Sequence, residues 1–274
     1  MGRPLVAFDI DGTLEGFGGV FGRREISLLK RYAEVAVVSA RGDCVAIASS
    51  FGIQRACCAG LHEPSKEACM RRLASELSPT ASLYIADLPS DFEQATKAGW
   101  NWADANHLKV NLGCGADIRT GYVNVDLRAL PGVNVVMDIL DEWPFPYSSL
   151  EEVLAIDVVE HVPWRAQLLL WRRLAQHVKP GGRVVVRTPD IELIYEKVVK
   201  RRDRNYGGHG FKMLYEAFSF WIGGGQDYPG NFHYTFFTRN ALSELASAYG
   251  FTAECADDGG INMICTLVAS RQQT

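Results

Sequence analysis

The 274-residue chain lacks any apolar run of membrane-spanning length. Its longest runs are strand-sized, against the roughly 18–20 residues that a spanning helix needs. A surplus of one charge is also missing. Residues 1–105 carry 11 basic and 13 acidic side chains and residues 106–274 carry 17 and 19, so the net charge of −4 divides evenly. A dedicated nucleic-acid binder needs a basic surplus on one domain, so that class is disfavoured, as is membrane association. Asp9 and Asp11 break the apolar stretch nearest the start, which argues against a signal peptide. Val6 stands where a myristoylation signal wants Ser or Thr. The sequence has no CxxC spacing, no fixed-period repeat and no low-complexity segment. Its seven cysteines (44, 57, 58, 69, 114, 255 and 265) are odd in number and lie mostly in apolar segments. That pattern points to reduced, buried thiols and a cytoplasmic address, and away from a zinc site or a disulfide scaffold.

What is present is a globular composition, 47% hydrophobic and 22% charged, on a length suited to two ordinary domains. Apolar runs alternate with helical spacing twice over. The first series has strands at 5–10, 35–39, 56–59 and 82–86, helices at 25–32, 43–51, 65–77 and 91–98, and a closing strand at 100–103. The pattern pauses near 105. It resumes with strands at 108–112, 122–127, 133–139 and 153–156, a long helix at 164–178, a strand at 183–187 and a helix at 191–200. An aromatic-rich stretch follows, then a helix at 239–249 and strands at 251–256 and 261–269. Such alternation predicts an α/β protein of two Rossmann-like, three-layer αβα domains, 1–105 and 106–274, each with a mainly parallel sheet.

In the first domain, Asp9-Ile10-Asp11-Gly12-Thr13 follows an apolar strand directly. Carboxyl ends of parallel strands face the ligand crevice. Aspartates at i and i+2 on an extended chain point to one side, which suits a carboxylate nucleophile beside a carboxyl proton donor, both able to meet Mg²⁺. The run resembles the first signature of the haloacid-dehalogenase-like phosphatases. Val37-Val38-Ser39-Ala40-Arg41 resembles the second, Lys66 stands at the place of the third, and Tyr84-Ile85-Ala86-Asp87 with Asp91 resembles the fourth. The resemblance spans residues 5–103. It implies Asp9 as nucleophile, Asp11 as general acid/base, Ser39 and Lys66 as phosphate contacts, and Asp9, Asp11 and Asp87 around Mg²⁺. The gap from Thr13 to Val35 is too short for a cap domain, which favours a bulky phosphoester such as a sugar-phosphate or a polymer end.

In the second domain, Val110-Asn111-Leu112-Gly113-Cys114-Gly115 is a strand running into a glycine loop, and acids end later strands at Asp126 and Asp138. Glycines let backbone approach a ligand closely, and an acid at the next strand end can meet ribose hydroxyls. A nicotinamide site would want a third glycine where Ile118 stands. The loop, the Val159-Glu160-His161 stretch and Lys179-Pro180-Gly181-Gly182 together resemble the class I S-adenosylmethionine-dependent methyltransferases, over about 108–270. Closest in pattern are the short methyltransferases that accompany surface-polysaccharide genes, with Gly-Tyr-Val-Asn-Val-Asp at 121–126 and Gly-Gly-Gln at 224–226. The resemblance implies S-adenosylmethionine bound by Gly113, Cys114, Gly115, Asp126, Asp138 and Asp157, with His161 beside the acceptor. Asn111 departs from it, since many members carry an acid there. The span from Gly115 to Tyr122 is too short for a full helix.

Asp157, Glu160 and His161 fall at i, i+3 and i+4, one face of a helical turn, and His233 precedes a later helix. This resembles small-RNA 2′-O-methyltransferases and ubiquinone-pathway O-methyltransferases, which implies a divalent cation held by Asp157, Glu160, His161 and His233 beside the acceptor hydroxyl. The alternative is that Glu160 and His161 cap a helix while His233 bonds a loop carbonyl. Rings crowd residues 203–237, divided between local core and an acceptor pocket with a glycine-hinged lid. The whole chain reads as a phosphatase-like domain before a methyltransferase, acting on a small-molecule substrate of sugar or sugar-phosphate type. Two other readings stay open: a front domain that only binds a phosphorylated ligand, and a nucleic-acid end-processing enzyme.

Overall fold

Leu5–Phe8 (β1) is apolar at every position and wholly buried, as a strand covered on both faces must be. In this computed structural model, which describes residues 2–204, 208–228 and 230–270, β1 is the centre of a five-stranded parallel sheet. Its partners are Glu34–Ser39 (β2), Arg55–Cys58 (β3), Ser82–Ala86 (β4) and Asn101–Asp104 (β5), in the order β3-β2-β1-β4-β5. The connecting helices are Arg23–Leu29 (α1), Cys44–Ser50 (α2), Lys66–Leu77 (α3) and Pro89–Ala98 (α4). Ser65 starts α3 by accepting from the Ala68 amide, and Gly99 ends α4 in the left-handed region at φ +79°. The chain winds from β1 toward β3, then returns to the other side of β1 with β4. The carboxyl end of β1 is therefore a topological switch point, and Asp9 is the next residue.

A second sheet holds seven strands: Lys109–Leu112 (β6), Val123–Asp126 (β7), Val135–Val136 (β8), Leu150–Ile156 (β9), Val178–Pro189 (β10), Phe251–Asp257 (β11) and Asn262–Ala269 (β12). Its order is β11-β12-β10-β9-β6-β7-β8, with β12 antiparallel to both neighbours. The helices are Gln167–His177 (α5), Ile191–Ile194 (α6, continued by a π-helical turn to Lys200), Leu214–Gly223 (α7) and Arg239–Ala248 (α8). The fold class predicted from the alternation is the one observed. By packing, the chain divides into two compact units, residues 1–153 with 177–179, and residues 154–176 with 180–274. Among the described residues no helix is long and apolar enough to cross a membrane.

Three expectations need correction. The cysteines are not all reduced: disulfides join Cys44 to Cys58, Cys57 to Cys69 and Cys255 to Cys265, and only Cys114 is free. That removes the thiol argument for a cytoplasmic address. The strand at 133–139 shrinks to two residues, because Asn134 and Asp138 are engaged in side-chain hydrogen bonds. The aromatic-rich stretch contains a helix, α7, which packs Ala217 against Ile194, Val198 and Ile261. Phe211, Leu214 and Trp221 join that cluster, while Tyr215, Phe218, Tyr228, Tyr234 and Phe236 are exposed. Tyr206 and Gly207 lie outside the described residues.

Candidate active site

At the end of β1, Asp9 is buried and its Oδ2 accepts from Lys66 Nζ at 2.7 Å. Lys66 is the first residue of α3, and its ammonium also donates to Asp91 Oδ1 at 2.7 Å. Burial works against the Lys66 charge, but the two carboxylates outweigh it and raise the pKa. Burial lifts the Asp87 and Asp91 carboxyls above the ordinary range. Oxygens of Asp9, Asp87 and Asp91 lie within 4.8 Å of one another, and one oxygen each on Asp9 and Asp91 is buried without a partner. Gly12 makes the cluster possible. At φ +68° it passes so close to Asp87 that a Cβ would sit 2.1 Å from the carboxylate.

Of the expected Asp9, Asp11 and Asp87, the structure brings Asp9 and Asp87 together, with Asp91 as the third acid. Asp11 is exposed and accepts from Arg41 at 3.0 Å, while the same guanidinium grips Asp43 and lies over the Phe17 ring. Ser39 is buried beside them, its Oγ 3.4 Å from the Arg41 amide. Sequence pattern does not single out Arg41, although it closes the Val37–Arg41 run.

At the second glycine loop, Gly113 and Gly115 adopt φ of +57° and +52°. Asp126, the last residue of β7, is buried and folds back on the loop: Oδ2 accepts from the Gly115 amide at 2.8 Å, and Oδ1 from the amide and Nε of Arg128. A carboxylate has about four acceptor positions, so capacity for hydroxyls remains. Cys114 is buried, and burial pushes its thiol up to about 12, so it is no nucleophile. Asp138 is exposed and accepts from the Leu140 amide.

In the other unit, Asp157 ends its strand in the left-handed region at φ +55° and pairs with Arg187 through both oxygens. Its carboxylate is not among the clustered ligand atoms, although its charge acts on Glu160, His161 and His233. Glu160, His161 and His233 do come together, with ligand atoms within 4.8 Å and the two rings 4.9 Å apart. Gln167 of α5 fixes the turn by donating to the carbonyls of Val159 and Val162. The amides of Tyr234 and Thr235 both donate to the Glu160 carbonyl, which brings His233 onto the turn. Gly224 permits this approach, since a Cβ there would meet the Asn231 carbonyl at 2.4 Å. The Glu160 side chain caps no helix: burial pushes its carboxyl up to about 8 against the nearby Thr188 hydroxyl, and its Oε2 makes no hydrogen bond of normal geometry, whereas His233 does bond the Trp221 and Ile222 backbone. Burial lowers both imidazoles, with His161 adding to the effect on His233. His161 Nδ1 lies 3.0 Å from the Phe232 carbonyl; donation there leaves Nε2 unprotonated. Two neutral imidazoles and an orphaned buried carboxyl oxygen are a donor set that fits a divalent cation.

Residues 112–256 match a family model described as a methyltransferase domain. The chain belongs to that family. Those residues form a class I S-adenosylmethionine-dependent methyltransferase domain, and the match lies wholly outside the first sheet. No curated protein matches the chain. Among solved structures, a Burkholderia thailandensis 1,6-didemethyltoxoflavin-N1-methyltransferase is 15% identical with a TM-score of 0.40, over 74% of this chain and 79% of that one. An S-adenosylmethionine-dependent methyltransferase from Archaeoglobus fulgidus is 12% identical with a TM-score of 0.41, over 59% and 86%. A Haemonchus contortus phosphoethanolamine N-methyltransferase 2 is 14% identical with a TM-score of 0.36, over 61% and 49%. Likenesses this distant assign neither acceptor nor mechanism.

Lys66 is the cation on which two buried carboxylates depend. Lys66→Met should cost about 3–5 kcal/mol near pH 8, the scale for breaking a buried pair. The loss should shrink toward pH 5. A buried carboxyl with a raised pKa contributes stability that is present at low pH and lost as pH rises. Urea melts of both proteins at the two pH values measure this, and equal losses at both would refute it.

Proposed function

We propose that the methyltransferase acts on a hydroxyl of a small sugar-type or phosphorylated acceptor. The Gly113–Gly115 loop and Asp126 take the donor, and Glu160, His161 and His233 hold a divalent cation beside the acceptor. The observation that carries the cation is the buried Glu160 carboxyl with a ligand atom of each of His161 and His233 within 4.8 Å. Such a nitrogen-rich set suits Mn²⁺ or Zn²⁺ better than Mg²⁺. The bound cation would lower the pKa of the acceptor hydroxyl. Asp157, held by Arg187, keeps the strand end rigid next to that turn.

For the first domain, 1–105, we infer a phosphatase that takes Mg²⁺ at Asp9, Asp87 and Asp91, an all-oxygen set of the kind this ion prefers. Asp9 would attack phosphorus, and Lys66 would balance the charge. Asp11 would protonate the leaving group after exchanging Arg41 for substrate.

Three measurements test these assignments. Asp126→Ala should weaken S-adenosylmethionine binding by about 1.5–3 kcal/mol; an unchanged dissociation constant in calorimetry would place the donor elsewhere. Titration with Mn²⁺ at pH 7 should release about one proton, because the Glu160 carboxyl at about 8 must ionise to bind. His233→Ala should abolish this uptake with donor affinity intact, and chelation of the wild type should stop methyl transfer. Cation uptake with no proton release, or undiminished in His233→Ala, would leave the histidines as metal-free groups. Asp9→Asn should end Mg²⁺-dependent phosphate release from sugar-phosphates without altering donor binding, since the amide is no nucleophile. Phosphate release surviving in that variant would sink the phosphatase reading.

A further inference from the structure

Parallel strands are ordinarily joined by a crossover of about a dozen or more residues that includes a helix. β6 and β7 are parallel neighbours, with Val110 opposite Val123, yet residues 113–122 join them without one. The connection has few backbone bonds of its own; the Asp117 amide donates to Cys114 and the Ile118 amide to Ala116. Side-chain amides supply the rest. Asn111 donates to the Asp117 carbonyl at 2.7 Å. Asn124 accepts from the Arg119 amide at 3.0 Å and donates to the Arg119 carbonyl at 3.0 Å. Asn134 accepts from the Asn124 amide at 3.0 Å. All three asparagines are buried.

The fourth member comes from the other sheet. Asn101 is the first residue of β5, at the edge of the five-stranded sheet, and lies in the same compact unit as the loop. Its Nδ2 donates to the Tyr122 carbonyl at 2.8 Å and reaches Asn134 Oδ1 at 3.3 Å, while its Oδ1 accepts from the Gly121 amide at 3.3 Å. The loop is therefore held at one end by Asp126 on Gly115, and at the other by an amide from the first domain.

We propose that Asn101 is a positioning residue for methyl-donor binding: the first sheet stands in for the missing crossover helix and holds the glycine loop in its binding shape. This gives the front domain a part in methyl transfer that is independent of any phosphatase activity. It rests on the reading that residues 113–115 bind the donor. A loop freed at Gly121 must be ordered again when ligand binds, so losing Asn101 weakens affinity through preorganisation.

The test uses the full chain, S-adenosylmethionine as probe, and two variants. Asn101→Ala removes the amide. Asn101→Asp keeps its shape, but cannot donate to Tyr122 and sets a charge against the Asn134 oxygen. Both should raise the donor dissociation constant about tenfold, and the amides of Gly113, Gly115 and Gly121 should shift in NMR spectra and exchange faster with solvent. The melting point should move by only a few degrees. Gly113→Val runs alongside. If that variant binds donor normally, the loop reading itself fails. If it weakens binding while either Asn101 variant binds like wild type, the positioning role alone fails. Unfolding of either Asn101 variant at 25 °C would also overturn the proposal, by assigning the residue to the fold rather than to the loop.

Discussion

A parallel sheet covered on both faces leaves its strand ends as the place for polar side chains, and those ends are themselves largely buried. Each polar group there must find a partner close by. Asp9 and Asp91 share Lys66, and Asp126 takes the Gly115 amide and Arg128. Asp190 accepts from the Glu192 amide and from Arg239. These bonds stabilise the fold and set the shape of each crevice at once, so stability and site geometry are not separable here. Glu160 breaks the pattern. Like Asp9 and Asp91 it keeps one buried oxygen without a partner, but among the described residues no ammonium or guanidinium pairs with its carboxyl, and its neighbours are imidazoles whose pKa values burial lowers. A buried group left in that state is costly unless something else satisfies it, and this turn lacks the ammonium that Lys66 supplies to Asp9 and Asp91.

The layered architecture was legible because the strands are continuous apolar runs and the helices carry their own start and stop signals, Ser65 and Gly99 among them. Pairings across the fold were not. Cys57 and Cys58 are adjacent on β3, so their side chains leave opposite faces of the sheet. Cys58 meets Cys44 of α2 and Cys57 meets Cys69 of α3. Odd number and apolar context argue for free thiols; only the placement of two helices on two faces reveals the bridges. Cys255 and Cys265 likewise face each other only once the β11–β12 register is fixed. Helix α7 was hidden for a different reason. Leu214, Phe218, Phe220, Trp221 and Ile222 are apolar around the helix, so no polar face marks its period. At the strand ends, side-chain partners were not readable: Asp157 and Asp11 are each held by an arginine, Arg187 and Arg41.

Asn111 shows how a departure from a family pattern becomes intelligible once its surroundings are known. Many class I methyltransferases carry an acid at that position. Here the side chain faces the Asp117 carbonyl and Asn124 Oδ1, two acceptors, and donates to both. A carboxylate in its place would have no proton to offer and would set negative charge against two oxygens in a buried setting. The substitution goes with the shortened crossover. Where a helix would have satisfied its own backbone, the ten-residue connection depends on side-chain amides, which can donate and accept at once, and on the Asp126 carboxylate. An asparagine at 111 therefore follows from asparagines at 124 and 134, and all three from the absence of a helix between β6 and β7. The amide that closes this network lies on the first sheet, so the shape of the 113–122 connection is a property of both sheets together.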